Sequence, residues 1–173
     1  MKKIILLWAV VSMLAGLFAF PVAFSESMAY GDLIGRLVES WDPSASRDDL
    51  TKLHGEPLYD AEAYMSFWDK EKGIQLTYNY KDGRLTFIEV SYVLSSKESW
   101  NAAYQIFHET DTMLIDTLGE KQSYICHYNG DERNAIDVDC YVSTWNANGV
   151  NVLMVYNQTE AKVYVNTKIS AIR

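Results

Sequence analysis

The chain has 173 residues, 23 of them acidic and 15 basic, with a formal net charge of −8, 49% apolar and 13% aromatic content. That much apolar material can bury a core, which excludes a disordered chain. A net negative field repels nucleic acid and anionic lipid, so neither is expected as a partner.

Lys2 and Lys3 precede an apolar run from Ile4 to Phe20, and Pro21 and the small residues Ala23 and Ser25 follow it. Positive, then apolar, then small is the order of a secretory signal. We take residues 1–25 as that signal. Cleavage after Ala29 satisfies the same small-residue requirement, and an uncleaved anchor is the alternative, because about 20 apolar residues span a bilayer. Removing the signal brings the net charge to about −10 and leaves one domain of typical size or two small ones. The expected location is secreted or periplasmic, without stable membrane insertion, and the sequence carries no signal for an oligomeric state.

In the exported part, Leu33, Ile34, Leu37, Val38 and Trp41 mark an amphipathic helix ending near Asp42-Pro43. A short helix follows, with Ser46 as cap, Leu50 and Leu53 as its apolar positions, and Gly55 as terminator ahead of Pro57. The period then changes to two, predicting strands over 62–68, 74–80 and 85–94, the last two joined at Asp82-Gly83. Ser95 and Glu98 form a capping box. Trp100, Ala103, Tyr104, Phe107, Asp111, Leu114 and Leu118 then trace one face of a long helix that stops at Gly119. Four more strands are expected at about 122–128, 135–146, 150–157 and 161–170, with Asn148-Gly149 as a hairpin turn.

The two halves match. Leu53-His54-Gly55-Glu56 corresponds to Leu118-Gly119-Glu120, Ser66-Phe67-Trp68-Asp69 to Ser143-Thr144-Trp145-Asn146, and Gly73-Ile74-Gln75-Leu76 to Gly149-Val150-Asn151-Val152, each followed by a Tyr before a turn. This predicts an α+β fold of two tandem helix-plus-antiparallel-sheet repeats, residues 26–94 and 95–173, with the helices packed on one face of a seven-stranded or split sheet. The second repeat is longer and carries Cys126 and Cys140 on either side of the turn-rich Tyr128-Asn129-Gly130-Asp131. In an oxidising compartment such a pair is expected to bridge, worth on the order of 3 kcal/mol.

A helix ending near Gly and Pro, a Trp-containing hairpin and a Gly-Ile-x-Leu-x-Tyr strand resemble the unit of the SmpA/OmlA (BamE)-type outer-membrane assembly lipoproteins. Two such units in one exported chain resemble the β-lactamase inhibitory protein family. The chain departs from the first in having no cysteine after the apolar run, and from the second in having one possible disulfide instead of one per repeat. The resemblance implies an inhibitor or an envelope-assembly adaptor, and no functional residue is carried over beyond the Gly and Trp positions.

Catalytic signatures are absent from the sequence: no Gly-x-Ser-x-Gly, Ser-x-x-Lys or His-Glu-x-x-His occurs. His54, His108 and His127 read as surface or capping residues. Asp131, Glu132, Asp137 and Asp139 lack calcium-loop spacing and read as a solvated strand face. No metal, cofactor or catalytic residue is expected. Alternation places Glu62, Tyr64, Ser66 and Trp68 on one face, and Asp137, Asp139, Tyr141, Ser143 and Trp145 on the corresponding face of the second half, opposite Ile136, Val138, Cys140 and Val142. An outward face holding Tyr64, Trp68, Asp137, Asp139, Tyr141 and Trp145 predicts a non-enzymatic surface for a protein partner. The alternative is a small-ligand carrier or hydrolase-type enzyme with a site between the repeats, drawing on His108, His127, Asp137 and Asp139.

Overall fold

The computed structural model describes residues 30–94, 100–128, 138–147, 149–158 and 163–172, the side chains of 93, 94, 100, 124–128, 138 and 139 excepted. The signal, the Ser95–Glu98 capping box, Asn148 and the acids from Asp131 to Asp137 lie outside the described residues. Among the described residues the chain is α+β. Three helices, α1 (Tyr30–Glu39), α2 (Arg47–His54) and α3 (Trp100–Leu118), pack against one antiparallel sheet of eight strands. The strands are β1 (Tyr59–Ala61), β2 (Tyr64–Asp69), β3 (Ile74–Lys81), β4 (Arg84–Leu94), β5 (Ser123–Tyr128), β6 (Val138–Ala147), β7 (Val150–Gln158) and β8 (Val163–Ala171). None of the described helices is long and apolar enough to cross a membrane.

Local chemistry accounts for most element ends. Ser46 caps α2 by accepting from the Asp49 backbone N–H, and Gly55, at φ 82°, takes the positive φ that ends it. Asp82 and Gly83 both have positive φ, as the tight β3–β4 hairpin requires. The strand expected over 62–68 begins only at Tyr64: Glu62 and Ala63 are a turn, and an unexpected strand, β1, precedes it and pairs with β2 through Tyr59↔Ser66 and Ala61↔Tyr64. Sequence alternation runs on through such a two-residue turn, so it does not show the reversal.

The sheet order is β1-β2-β3-β4-β8-β7-β6-β5, so two four-stranded meanders meet at β4 and β8. At that seam the buried Tyr30 hydroxyl donates to the Val90 carbonyl and bonds Thr167 Oγ1, both at 2.9 Å, fastening α1 across the pair Val90↔Thr167. Burial pushes this phenol well above its ordinary pKa. Gly31 lets α3 come close, since a Cβ there would lie 3.3 Å from Thr110 Oγ1. From the middle of α3, Asp111 accepts from Lys121 Nζ at 2.6 Å and holds the turn that follows the helix.

The core lies between helices and sheet. β3 contributes Ile74, Leu76, Tyr78 and Tyr80, and β7 contributes Val150, Val152, Met154 and Tyr156. His54, expected as a surface or capping residue, ends α2 and also closes the first half of the core. Its ring lies 4.7 Å from Phe67 and its Nε2 is 2.9 Å from the Tyr78 hydroxyl. Burial lowers its pKa to about 4. Below the ordinary imidazole pKa the unfolded chain takes up a proton that the folded chain refuses, so stability falls as pH drops from about 6.5 to about 4, by on the order of 3 kcal/mol. His54→Gln removes this titration. Urea unfolding of wild type and variant across that window is expected to show the wild type losing stability the more steeply of the two.

Candidate functional site

The sheet has one face without helices, and strand register fixes what stands on it. Three transverse rows cross β2, β3, β4, β8, β7 and β6: Tyr64, Asn79, Phe87, Ser170, Asn151 and Asn146; Ser66, Thr77, Glu89, Lys168, Leu153 and Thr144; Trp68, Gln75, Ser91, Asn166, Val155 and Val142. A bulge in β4 makes the first row possible. Asn79 pairs with Phe87 while Tyr80 pairs with Leu85, leaving Thr86 as the extra residue, its Oγ1 donating to the Asn79 carbonyl at 2.9 Å. Leu85 and Ile88 thereby stay in the core while Phe87 faces outward.

The exposed aromatics gather at the β1–β2 edge of this face. Tyr59 is 56% exposed, Tyr64 39% and Trp68 38%. They surround a small polar centre. Ser66 Oγ lies 3.1 Å from Thr77 Oγ1 and accepts from Gln75 Nε2 at 2.8 Å, and Ser66 is itself fully buried. The expected acidic character is missing from this edge. Asp60 points to the helix side, where it pairs with Arg47 of α2, and Glu62 is in the turn. Tyr59 is absent from the sequence-derived set because its strand is only three residues long. The residual signal was alternation resuming after Pro57 in Tyr59-Asp60-Ala61.

The second-half residues do not join this surface. Trp145 is 1% and Tyr141 8% exposed, both on the helix side. Tyr141 lies 4.9 Å from Phe107 and 5.2 Å from His108, in a cluster with Tyr104 and Tyr156 beneath α3. Register explains the correction. Phe67 pairs with Leu76 and Trp145 with Val152, so Trp145 occupies the place of Phe67, not that of Trp68. The β2–β3 connection has two more residues than the β6–β7 connection, and the expected match of Trp68 to Trp145 takes up only one of them, so it sets the strand one residue out and reverses every side chain. Conversely Cys140 and Val142, expected beneath the helices, are not on that side. Asp137 and the Asp139 side chain lie outside the described residues. Five strand spacings separate Trp68 from the Trp145 strand, about 24 Å, too far for one compact patch.

At the end of the same face near the β3–β4 turn, an open groove of about 1280 Å³ is lined from both halves, by Asn79, Lys81, Arg84 and Phe87 on one side and Asn146, Asn151, Lys168 and Ser170 on the other. Among the described residues no histidine or cysteine lines it, and His108 stands on the helix side. Among the described residues no three His, Cys, Asp or Glu side chains converge to hold a metal.

Burial separates the two tryptophans energetically. Trp145→Ala is expected to cost about 3–5 kcal/mol in urea unfolding, whereas Trp68→Ala or Tyr64→Ala costs about 1 kcal/mol or less. Equal losses at Trp68 and Trp145 would contradict the face assignment.

No protein-family model and no curated protein matches the chain. Among solved structures it is similar to the crystal structure of a DUF4309 family protein (YjgB) from Bacillus subtilis subsp. subtilis str. 168, with 13% identity, a TM-score of 0.43, and coverage of 74% of this chain and 79% of that chain.

Proposed function

We propose that this chain is an exported, non-enzymatic binding module, made of two copies of one helix-and-sheet unit, that engages a protein partner through the helix-free face at the β1–β2 edge. The observation that carries the reading is the aromatic ring of Tyr59, Tyr64 and Trp68, all more than a third exposed around a closed polar centre. Large aromatics left in water on a rigid sheet are favoured interface anchors. With roughly half of each ring free, covering the three removes on the order of 300 Å² from water, about 7 kcal/mol gross. That only matches the cost of association, about 4–15 kcal/mol. A ligand touching the rings alone would bind weakly, so the surface suits a macromolecule that also covers neighbouring strands, about 800 Å² on each partner.

The mirrored strand order and the helix ahead of each meander support the duplication. The sequence matches support it as well once the β2–β3 and β6–β7 connections are allowed different lengths. The resemblance to inhibitor and assembly-adaptor families points to the same class of activity. The apolar segment Ile4 to Phe20 supports export, and in an oxidising compartment Cys126 and Cys140 are expected to bridge β5 and β6 after a one-residue shift of a register that opposes Cys126 to Tyr141 and His127 to Cys140. The protein secreted through an oxidising compartment is expected to show no reactive thiol when denatured without reductant; two thiols would remove the bridge.

The binding reading is tested by capture from envelope and culture-supernatant extracts, comparing wild type with a Tyr64→Ala, Trp68→Ala variant of unchanged melting temperature. One protein retained by the wild type and lost by the folded variant is the expected result. Equal capture by both, or none, would sink the site.

A further inference from the structure

We propose that the groove between the two halves is a second binding site, for an acidic saccharide. Its cations are unusually placed for so acidic a chain. Lys81 and Arg84 stand directly opposite each other across the β3–β4 ladder, flanking the Asp82-Gly83 turn. Like charges in that position disfavour the hairpin, so local stability does not account for them, and a local rule broken without a structural gain marks a site of use. Lys168 reaches the groove from β8. Its cross-strand neighbour is Glu89, but that carboxylate accepts from Asn166 Nδ2 at 2.6 Å, and the ammonium lies 3.8 Å over the Phe87 ring. Among the described residues none of these three cations has an ion pair within 4 Å, which is true also of Arg36 and Lys70, whereas Arg47, Lys52, Lys72 and Lys121 are paired with carboxylates; what sets the three apart is that one groove gathers them. Among the described residues the only acid on the groove wall is Asp82.

The floor selects the ligand class. Asn79, Asn146, Asn151 and Ser170 lie in one row, with Asn151 Nδ2 donating to Asn146 Oδ1 at 2.5 Å. Side-chain amides and hydroxyls both donate and accept, as sugar hydroxyls do, and the Phe87 ring supplies an apolar platform in the same row. The floor strands β4, β8 and β7 are interior, their backbone groups already used in the sheet, so an extended peptide has no edge to pair with. At about 1280 Å³ the groove exceeds the roughly 300–1,000 Å³ of a single small-molecule site, which suits several linked rings. The protein's overall negative field does not prevent this. It is screened within about 8 Å at physiological salt, whereas a cation in contact with a carboxylate or sulfate is not.

Isothermal titration calorimetry with trigalacturonate and with a sulfated chondroitin tetrasaccharide tests the site. Saturable binding of at least one is expected, weakening as salt rises and falling about tenfold in Arg84→Ala and in Lys168→Ala. The Trp68→Ala variant, which removes a ring two rows from the groove floor, is expected to bind the saccharide as the wild type does, which separates this site from the protein-binding edge. No saturable binding of either saccharide, undiminished binding by folded Arg84→Ala and Lys168→Ala variants, or tighter binding of hexaglutamate than of the saccharides would overturn the proposal.

Discussion

The β4–β8 pairing is the constraint on which the rest of the molecule depends. Eight residue pairs, from Phe87↔Ser170 to Leu94↔Val163, join two meanders that otherwise share no strand contact. Once Val90 and Thr167 are opposed beneath Tyr30, alternation propagates outward from strand to strand, and the inside or outside placement of every residue up to β2 and β6 is settled. The seam is also strongly non-local, the Tyr30 hydroxyl meeting a partner 137 positions away. Folding must close that loop before the seam yields any stabilisation.

Placing all the helices on one side divides the molecule into two physical regimes. Beneath α3, aromatic rings fill the interior, and Tyr141, Phe107 and Tyr156 hold the long helix down through contact area more than through polar bonds. On the other face the same strands carry asparagine, serine, threonine and lysine in rows, a surface that sheds water at little gain unless a polar ligand replaces it. Two regions of that face depart from the general pattern. The β1–β2 edge leaves three aromatics in water, and the groove end leaves three cations without carboxylates. They are chemically unlike, they adjoin where Tyr64 stands opposite Asn79, and they are suited to different ligands.

Much of the architecture was legible without coordinates. Ser46, Gly55, Asp82-Gly83 and Gly119 mark element ends through backbone conformations that only local chemistry decides. The apolar spacing of α1 and the alternation of β3 and β7 place Leu33, Ile34, Leu76 and Val152 in the core because a helix or strand has only one periodicity to offer. The site was half legible: Tyr64 and Trp68 stand where alternation puts them. Tyr141 and Trp145 do not, because β6 is amphipathic in neither direction by composition. Tyr, Ser and Trp occupy one face of it and Val, Cys and Thr the other, and either set can be buried.

By itself the sequence determined the α+β class, the order of helices and strands, the turns and most of the buried residues, since these follow from period, capping and glycine conformation within a few positions. Tertiary structure alone decided which face of β6 is inside, that Thr86 is a bulge, that β1 is a strand, and that Lys81, Arg84 and Lys168 share one groove with asparagines from both halves. Those outcomes depend on register between strands far apart in the chain, and a shift of one residue, which changes no local preference, moves a side chain from solvent to core.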